Sequence, residues 1–182
     1  MLHRWEGSRV IEVVLVDRQD KPLGRMEKLA AHREGCLHRA LSVYLFNARG
    51  ELLLQRRAAG KYHAGGQWSN TCCSHPLPGE AIEQAATRRL QEEMGMQCAL
   101  DPLMTLYYRV DVGQGLTEHE LTRVFVGRSE QNPQMNLAEV DAFVWRTPEQ
   151  ILQHMAQQPN DYTPWFRLCL PQVLQHLAAH PG

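Results

Sequence analysis

The stretch Gly79–Met94 constrains the fold more than any other, because it is the clearest helical segment and carries two charges on its apolar side. At about 100° per residue, Ile82, Ala86 and Leu90 share one face, with Ala85 on its edge. Gly95 stands where a left-handed C-terminal residue ends such a helix. On the same wheel Arg89 and Glu93 fall within about 20° of Ile82. An exposed i,i+4 ion pair, worth a few tenths of a kcal/mol, is the plain structural reading. It does not explain why both charges sit toward the core, where a carboxylate is costly unless paired or metal-bound. A functional role for Glu93 is therefore expected.

Around this helix the pattern alternates between strands and helices. Val10–Val16 reads as a strand, followed by a turn-prone region at Asp17–Asp20. Met26–Ala31 reads as a helix ending near Gly35. Ala40–Phe46 and Leu52–Gln55 flank Asn47-Ala-Arg-Gly50, a hairpin signal. Gly60–Pro78 is rich in Gly, Pro, His, Cys and Ser, and is expected to be a long irregular loop with a function. Leu103–Val112, Glu118–Val126 and Val140–Trp145 read as strands, the first two joined by a turn at Gly113–Gly115. Thr147-Pro-Glu-Gln150 carries the signals of a capped helix start. Thr163-Pro164 starts another helix, which Pro171 is expected to kink or split. The expected fold class is α/β (α+β): a mixed β-sheet covered by helices in a single compact domain spanning 1–182.

Charge and cysteine content narrow the function classes. Nineteen Lys plus Arg against twenty Asp plus Glu give a net charge of −1. That balance argues against nucleic acid or an acidic membrane as partner, while leaving room for a small anion held by a local cluster. Five cysteines, with Cys72 and Cys73 adjacent and no C-x-x-C pair, argue against a disulfide framework and for a reducing, cytoplasmic setting. The N-terminal segment shows no signal-peptide core, and no apolar run spans a bilayer.

Four further constellations carry chemistry. In a strand, Glu118 and Glu120 share a face and repel unless a cation or a proton lies between them; a solvated strand end is the alternative. His32, His38 and His75 come from separated segments, and with carboxylates they permit an octahedral N/O site for Mn²⁺, Mg²⁺ or Zn²⁺. Cys73, beside His75 in Asn70-Thr-Cys-Cys-Ser-His-Pro76, is a candidate nucleophile or acid–base thiol, set against a buried inert Cys. Lys28, Arg56, Arg57 and Lys61 form a basic group suited to phosphate, or else a solvated edge.

Glu80–Met96 resembles the Nudix helix, G-x5-E-x7-R-E-U-x-E-E-x-G-U with U aliphatic. Glu80, Arg88, Leu90, Glu92, Glu93, Gly95 and Met96 match, while Ser74 replaces the first Gly and Arg89 the second residue of R-E-U. A cation in a glutamate cluster that should hold metals argues against diphosphate hydrolysis. Leu29–His32, Cys36–His38, Arg56-Arg57 with Lys61, Asn70–Pro76, Glu118-x-Glu120 and Thr163–Trp165 resemble instead, in joint order, the type I isopentenyl-diphosphate isomerases of the Nudix superfamily. The resemblance runs from about Val10 to Trp165. The family's aromatic after the Lys61 region has no clear counterpart in Tyr62-His63-Ala64-Gly65-Gly66.

The resemblance implies conversion of isopentenyl to dimethylallyl diphosphate in isoprenoid biosynthesis. It implies that His32, His38, His75, Glu118 and Glu120 ligate one divalent metal (Mn²⁺, Mg²⁺ or Zn²⁺). Glu93 would reach a Mg²⁺ bridging to the diphosphate, and Cys73 and Glu120 would form the acid–base pair. Lys28, Arg57, Lys61 and Arg89 would engage the diphosphate, and Trp165 and Tyr108 would face the carbocation. The partner is then a small-molecule diphosphate, and a monomer is favoured. The alternatives are a Nudix diphosphohydrolase, against which Arg89 speaks, and a non-catalytic metal or nucleotide sensor, which leaves Cys73, Glu120 and Trp165 unexplained as a set.

Overall fold

The computed structural model describes residues 10–180, so the reading of residues 1–9 as free of an export signal lies outside them. Nine strands form one mixed sheet around β3 (His38–Phe46). β8 (Leu116–Arg128) lies parallel to β3 along one edge, in a register that pairs His38 with Glu120 and Phe46 with Arg128. The other edge of β3 is shared by β1 (Glu12–Val16), β6 (Cys72–Ser74) and β4 (Leu52–Arg57), all antiparallel to it. β2 (Pro22–Glu27) extends β1, while β5 (Trp68–Ser69) and β9 (Val140–Arg146) flank β4. β7 (Leu100–Gly113) closes the far side of β8.

Strand alternation divides the core into two layers. Leu41, Val43, Leu45, Leu53 and Phe125 pack against Ala85, Ala86, Leu90 and Met94 of α2 (Ile82–Met94). Tyr44, Phe46, Leu52, Leu54 and Val124 face the opposite way. They meet Ile151 of α3 (Pro148–Gln157) and Trp165, Phe166 and Leu170 of α4 (Pro164–Ala179). Because both faces are covered, β3 is a continuous apolar run with no in–out alternation. Among the described residues no helix is long and apolar enough to cross a membrane.

Several sequence expectations shift. Met26 belongs to β2, and the first helix, α1 (Lys28–Glu34), starts two residues later, capped by Glu27, whose carboxylate accepts from the Leu29 and Ala30 amides at 2.8 Å. β2 itself escaped notice because it is mostly exposed and has no buried face to impose a period of two. The loop Gly60–Pro78 contains β5 and β6; Asn70 ties it to the sheet by donating to the Val43 and Cys72 carbonyls. α2 begins at Ile82, since Gly79 has φ 81° and cannot continue a helix. α4 is not split at Pro171. Phe166, Cys169, Leu170 and Val173 are buried on both sides of it, and their packing outweighs the one lost backbone bond. The Asn47–Gly50 hairpin forms as expected, with the Asn47 carboxamide oxygen accepting from the Arg49 and Glu51 amides.

Gly95 ends α2 with φ 62°, and a Cβ there would collide with the Gln134 carbonyl. Gly95→Ala therefore meets both backbone strain and a rigid neighbour. It is expected to lower unfolding free energy by about 2–3 kcal/mol, read from urea denaturation of the two proteins.

Candidate active site

The face of β3 and β8 that buries Tyr44 and Val124 against α4 turns polar at its other end, where it carries His38, Ser42, Glu118, Glu120 and Thr122. Register decides who meets whom. The parallel β3–β8 pairing sets His38 beside Glu120, and the antiparallel β7–β8 pairing sets Tyr108 on Glu120's other side. Tyr108 Oη lies 3.0 Å from Glu118 Oε2 and 2.6 Å from Glu120 Oε2. His75 Nε2 lies 2.9 Å from Glu120 Oε1, and His38 Nε2 3.4 Å from the same oxygen. Burial and the neighbouring Glu120 carboxylate push Glu118 well above the usual carboxylate range. Glu120 is buried as well, yet the adjoining His38 and His75 rings hold it well below the usual carboxylate range.

The donors suit a divalent cation. His32 Nδ1 donates to the Lys28 carbonyl at 2.7 Å, and His38 Nδ1 to the Cys36 carbonyl at 2.8 Å. A ring held this way, when neutral, presents its Nε2 lone pair, the arrangement in which a backbone carbonyl fixes a metal-binding tautomer. His32 Nε2 is buried with no hydrogen-bond partner among the described residues. Burial also lowers the proton affinity of His32, and takes His75 down to about 3. Donor atoms of His32, His38, His75 and Glu120 lie within 4.8 Å of one another, as do those of His32, His63 and Glu118. Thus the five residues expected as ligands do meet here, in two groups that share His32.

Cys73 lies opposite β3's Ser42, its partner in the β3–β6 register. Its Sγ donates to Asn70 Oδ1 at 2.9 Å and lies 3.6 Å from Ser42 Oγ. Burial raises this thiol to about 12, so it is held as S–H. All five cysteines are free.

Cations gather at the mouth. Lys28, Arg57, Lys61 and Arg89 line one small cavity of about 30 Å³ together with Cys73, His75, Glu93, Tyr108, Glu118, Glu120 and Trp165. An open cleft of about 570 Å³ adjoins it, sharing Lys28, Lys61 and Arg89. Burial, with Lys61, Arg57 and Arg89 nearby, lowers Lys28 to about 8. That is the electrostatics of a place made for an anion. Glu139 partly fills the role: it pairs with Lys61, and its Oε1 lies 3.6 Å from Arg89. Arg57 lies over the Trp165 ring, 5.1 Å from its centroid.

Two expected neighbours behave differently. Arg56, next to Arg57 on β4, pairs with Asp141 at 2.6 Å, away from the site, as strand alternation requires. Glu93 accepts from Arg89 at 2.6 Å and from Gln55 at 2.9 Å, and it joins neither His/Glu group. Tyr62, next to Lys61, has Lys28 Nζ 4.8 Å from its ring centroid. His63, Glu139 and Gln55 went unnoticed in the sequence. His63 lies in an aperiodic loop and Glu139 just before β9, where no pattern marks them.

Comparison with known proteins agrees with this geometry. Residues 37–166 match the NUDIX domain model. The chain is 54% identical over 162 residues to the isopentenyl-diphosphate Delta-isomerase of Pectobacterium atrosepticum, covering 89% of this chain and 90% of that one. It is 48% identical over 161 residues to the protein of the same name from Burkholderia multivorans, covering 88% and 92%. The crystal structure of DR0079 from Deinococcus radiodurans superposes with a TM-score of 0.76 at 20% identity, covering 89% of this chain and 98% of that one, and shows the shared fold. By fold and sequence, this is a Nudix protein. Within that superfamily, the chain belongs to the isopentenyl-diphosphate Delta-isomerase family.

A cation between Glu118 and Glu120 would relieve their repulsion and stabilise the native chain. A divalent ion at about 100 times its Kd is expected to raise the thermal midpoint by about 5–10 °C over the EDTA-treated protein. Glu118→Gln, which removes one of the two charges, should shrink that shift at equal ion concentration. Calorimetry of the two proteins with and without chelator reads both.

Proposed function

We propose that the protein isomerises isopentenyl diphosphate to dimethylallyl diphosphate, with Cys73 and Glu120 as the acid–base pair. One observation carries the assignment of roles: a thiol and a carboxylate line the same small cavity, and four cations line it too. The reaction adds a proton to the terminal methylene of an unactivated alkene and removes one from the adjacent allylic carbon. Atoms and charge balance between substrate and product. Two side chains must therefore exchange protons with carbon, and neither may attack the tertiary cation between the steps.

Binding begins at the charged end. Lys28, Arg57, Lys61 and Arg89 hold the diphosphate, whose oxygens displace the Glu139 carboxylate from Lys61 and Arg89. The C5 chain then points toward Cys73 and Glu120, which converts proton transfer into an intramolecular event. A space of about 30 Å³ holds little more than a water molecule, so side chains lining it move apart when substrate enters. Trp165 and Tyr108 present aromatic surface in the same cavity, which stabilises positive charge without a lone pair that would trap it.

His32, His38, His75, Glu118 and Glu120 would hold one divalent ion (Mn²⁺, Mg²⁺ or Zn²⁺), and Glu93 would share a Mg²⁺ with the diphosphate. Such an ion supplies a fixed orientation and a tuned proton affinity to the Glu120 carboxylate. Tyr108 Oη, 2.6 Å from Glu120, holds or returns a proton at that oxygen. Asn70 and Ser42 aim the Cys73 thiol. The partner is a small-molecule diphosphate, with neither nucleic acid nor membrane required, and a cytoplasmic setting fits the free cysteines.

With isopentenyl diphosphate and Mg²⁺, the wild-type protein is expected to form an acid-labile allylic diphosphate and no free phosphate or pyrophosphate. Cys73→Ala and Glu120→Gln should each lower kcat by about 10²–10⁴-fold while leaving the circular dichroism spectrum intact. Release of phosphate or pyrophosphate by the wild type would move the assignment to hydrolysis. Substantial turnover in either variant would remove that residue from the acid–base pair.

A further inference from the structure

One ring nitrogen joins the two groups of donors. His32 donates through Nδ1 to the Lys28 carbonyl, so Nε2 holds the only lone pair this ring can offer. His32 nevertheless belongs both to the group with His38, His75 and Glu120 and to the group with His63 and Glu118. A single lone pair serves a single ion. Two ions, one per group, would compete for it, whereas a single ion set between the two groups would draw on both through His32. The shell then comprises four imidazoles and two carboxylates, the six N/O donors of an octahedral site.

His63 makes the difference between five side-chain donors and six. The residue is 2% exposed, and among the described residues neither ring nitrogen has a hydrogen-bond partner. Burying an imidazole with both nitrogens idle is unfavourable unless something occupies them. Nε2 lies 3.3 Å from Glu118 Oε1, too poorly aligned for a hydrogen bond but on the side where Glu118 offers its carboxylate. The ring is braced there. Its carbonyl accepts from Arg57 at 3.2 and 3.4 Å, and Trp165 packs edge-on at 5.4 Å between centroids. Tyr62 packs in the same way at 4.3 Å.

We propose that His63 is a ligand of the divalent ion, the sixth side-chain donor to its shell. The inference rests on the proposed ion at His32, His38, His75, Glu118 and Glu120, and extends it. It also has a chemical consequence. Catalytic metal sites that activate water keep a coordination position open for it. A shell filled by six side chains has no such position, so no activated water stands beside the carbocation. The residue that completes the shell therefore favours isomerisation over attack by water.

The test compares wild type with His63→Leu, which keeps bulk and loses the donor, and with His63→Ala should the leucine disturb folding. His38→Asn serves as a control. Each protein is loaded with Co²⁺, and X-ray absorption at the cobalt edge counts coordinated imidazoles. The expected count is four in wild type and three in either His63 variant, with Co²⁺ affinity weaker by about 10–100-fold in chelator competition. Three imidazoles in both wild type and variant, with unchanged affinity, would overturn the role of His63 alone. Full Co²⁺ affinity in His38→Asn would instead overturn the ion's assignment to this cluster, and the inference with it.

Discussion

The parallel pairing of β3 with β8 is the contact on which the site depends. Its register lays His38 directly beside Glu120 and continues without a shift from His38 to Phe46. Because side chains alternate, one residue of slip would turn Glu118 and Glu120 to the α2 side and separate them from His38, His75 and Tyr108. The register is secured by the same face further along, where Tyr44, Phe46 and Val124 pack on α4. Core and site are thus two ends of one surface. The apolar end positions the polar end, and α4 closes the boundary with Trp165, whose Nε1 is held by Ser69 Oγ at 3.2 Å.

Buried charge is tolerated here because it is arranged in opposed sets. Glu118 and Glu120 lie deep, ringed by imidazoles and one tyrosine hydroxyl. Lys28, Arg57, Lys61 and Arg89 lie toward the mouth, with Glu93 and Glu139 among them. Neither set is electrically complete without a guest, since the inner one lacks a cation and the outer one an anion. The proposed metal and diphosphate would answer the two deficits separately. The carboxylate of Glu139 lies against Lys61 and Arg89, which limits the cost of holding those cations close together.

Legibility in the sequence followed periodicity. α2 was readable because its apolar face repeats at the helical period and Gly95 marks its end. Glu118 and Glu120 could be placed on one strand face for the same reason. Their convergence with His32, His38 and His75 could not be read from spacing, since it is a product of strand order, and there the resemblance to a known family supplied the set. β2 was missed because an exposed edge strand has no buried face to set a pattern. His63 and Glu139 were missed because loops position side chains through backbone bonds, as Arg57 does to the His63 carbonyl, and such bonds leave no trace in composition. Of the kink or split expected at Pro171 the split does not occur: its propensity argues locally for a break, but buried neighbours on both sides keep one helix.

The departure from the Nudix pattern at Arg89 bears directly on the chemistry. In place of a glutamate, Arg89 puts a guanidinium 2.6 Å from Glu93 and 3.6 Å from Glu139 at the cavity mouth. A glutamate at that position would add a carboxylate suited to gathering metal ions and would take away a cation for phosphate. A hydrolase needs the first, because it must activate water against phosphorus. An enzyme that carries a tertiary carbocation needs the second, with its diphosphate anchored as a handle and water kept from the reacting carbon. In this chain His38, Glu118 and Glu120 stand on the sheet beside Tyr108 and Cys73, and Arg89 lines the same cavity as the two glutamates and the thiol. Carboxylates gathered on a strand, with a guanidinium where the helix pattern has a carboxylate, are the arrangement that the proposed proton transfer at carbon would require.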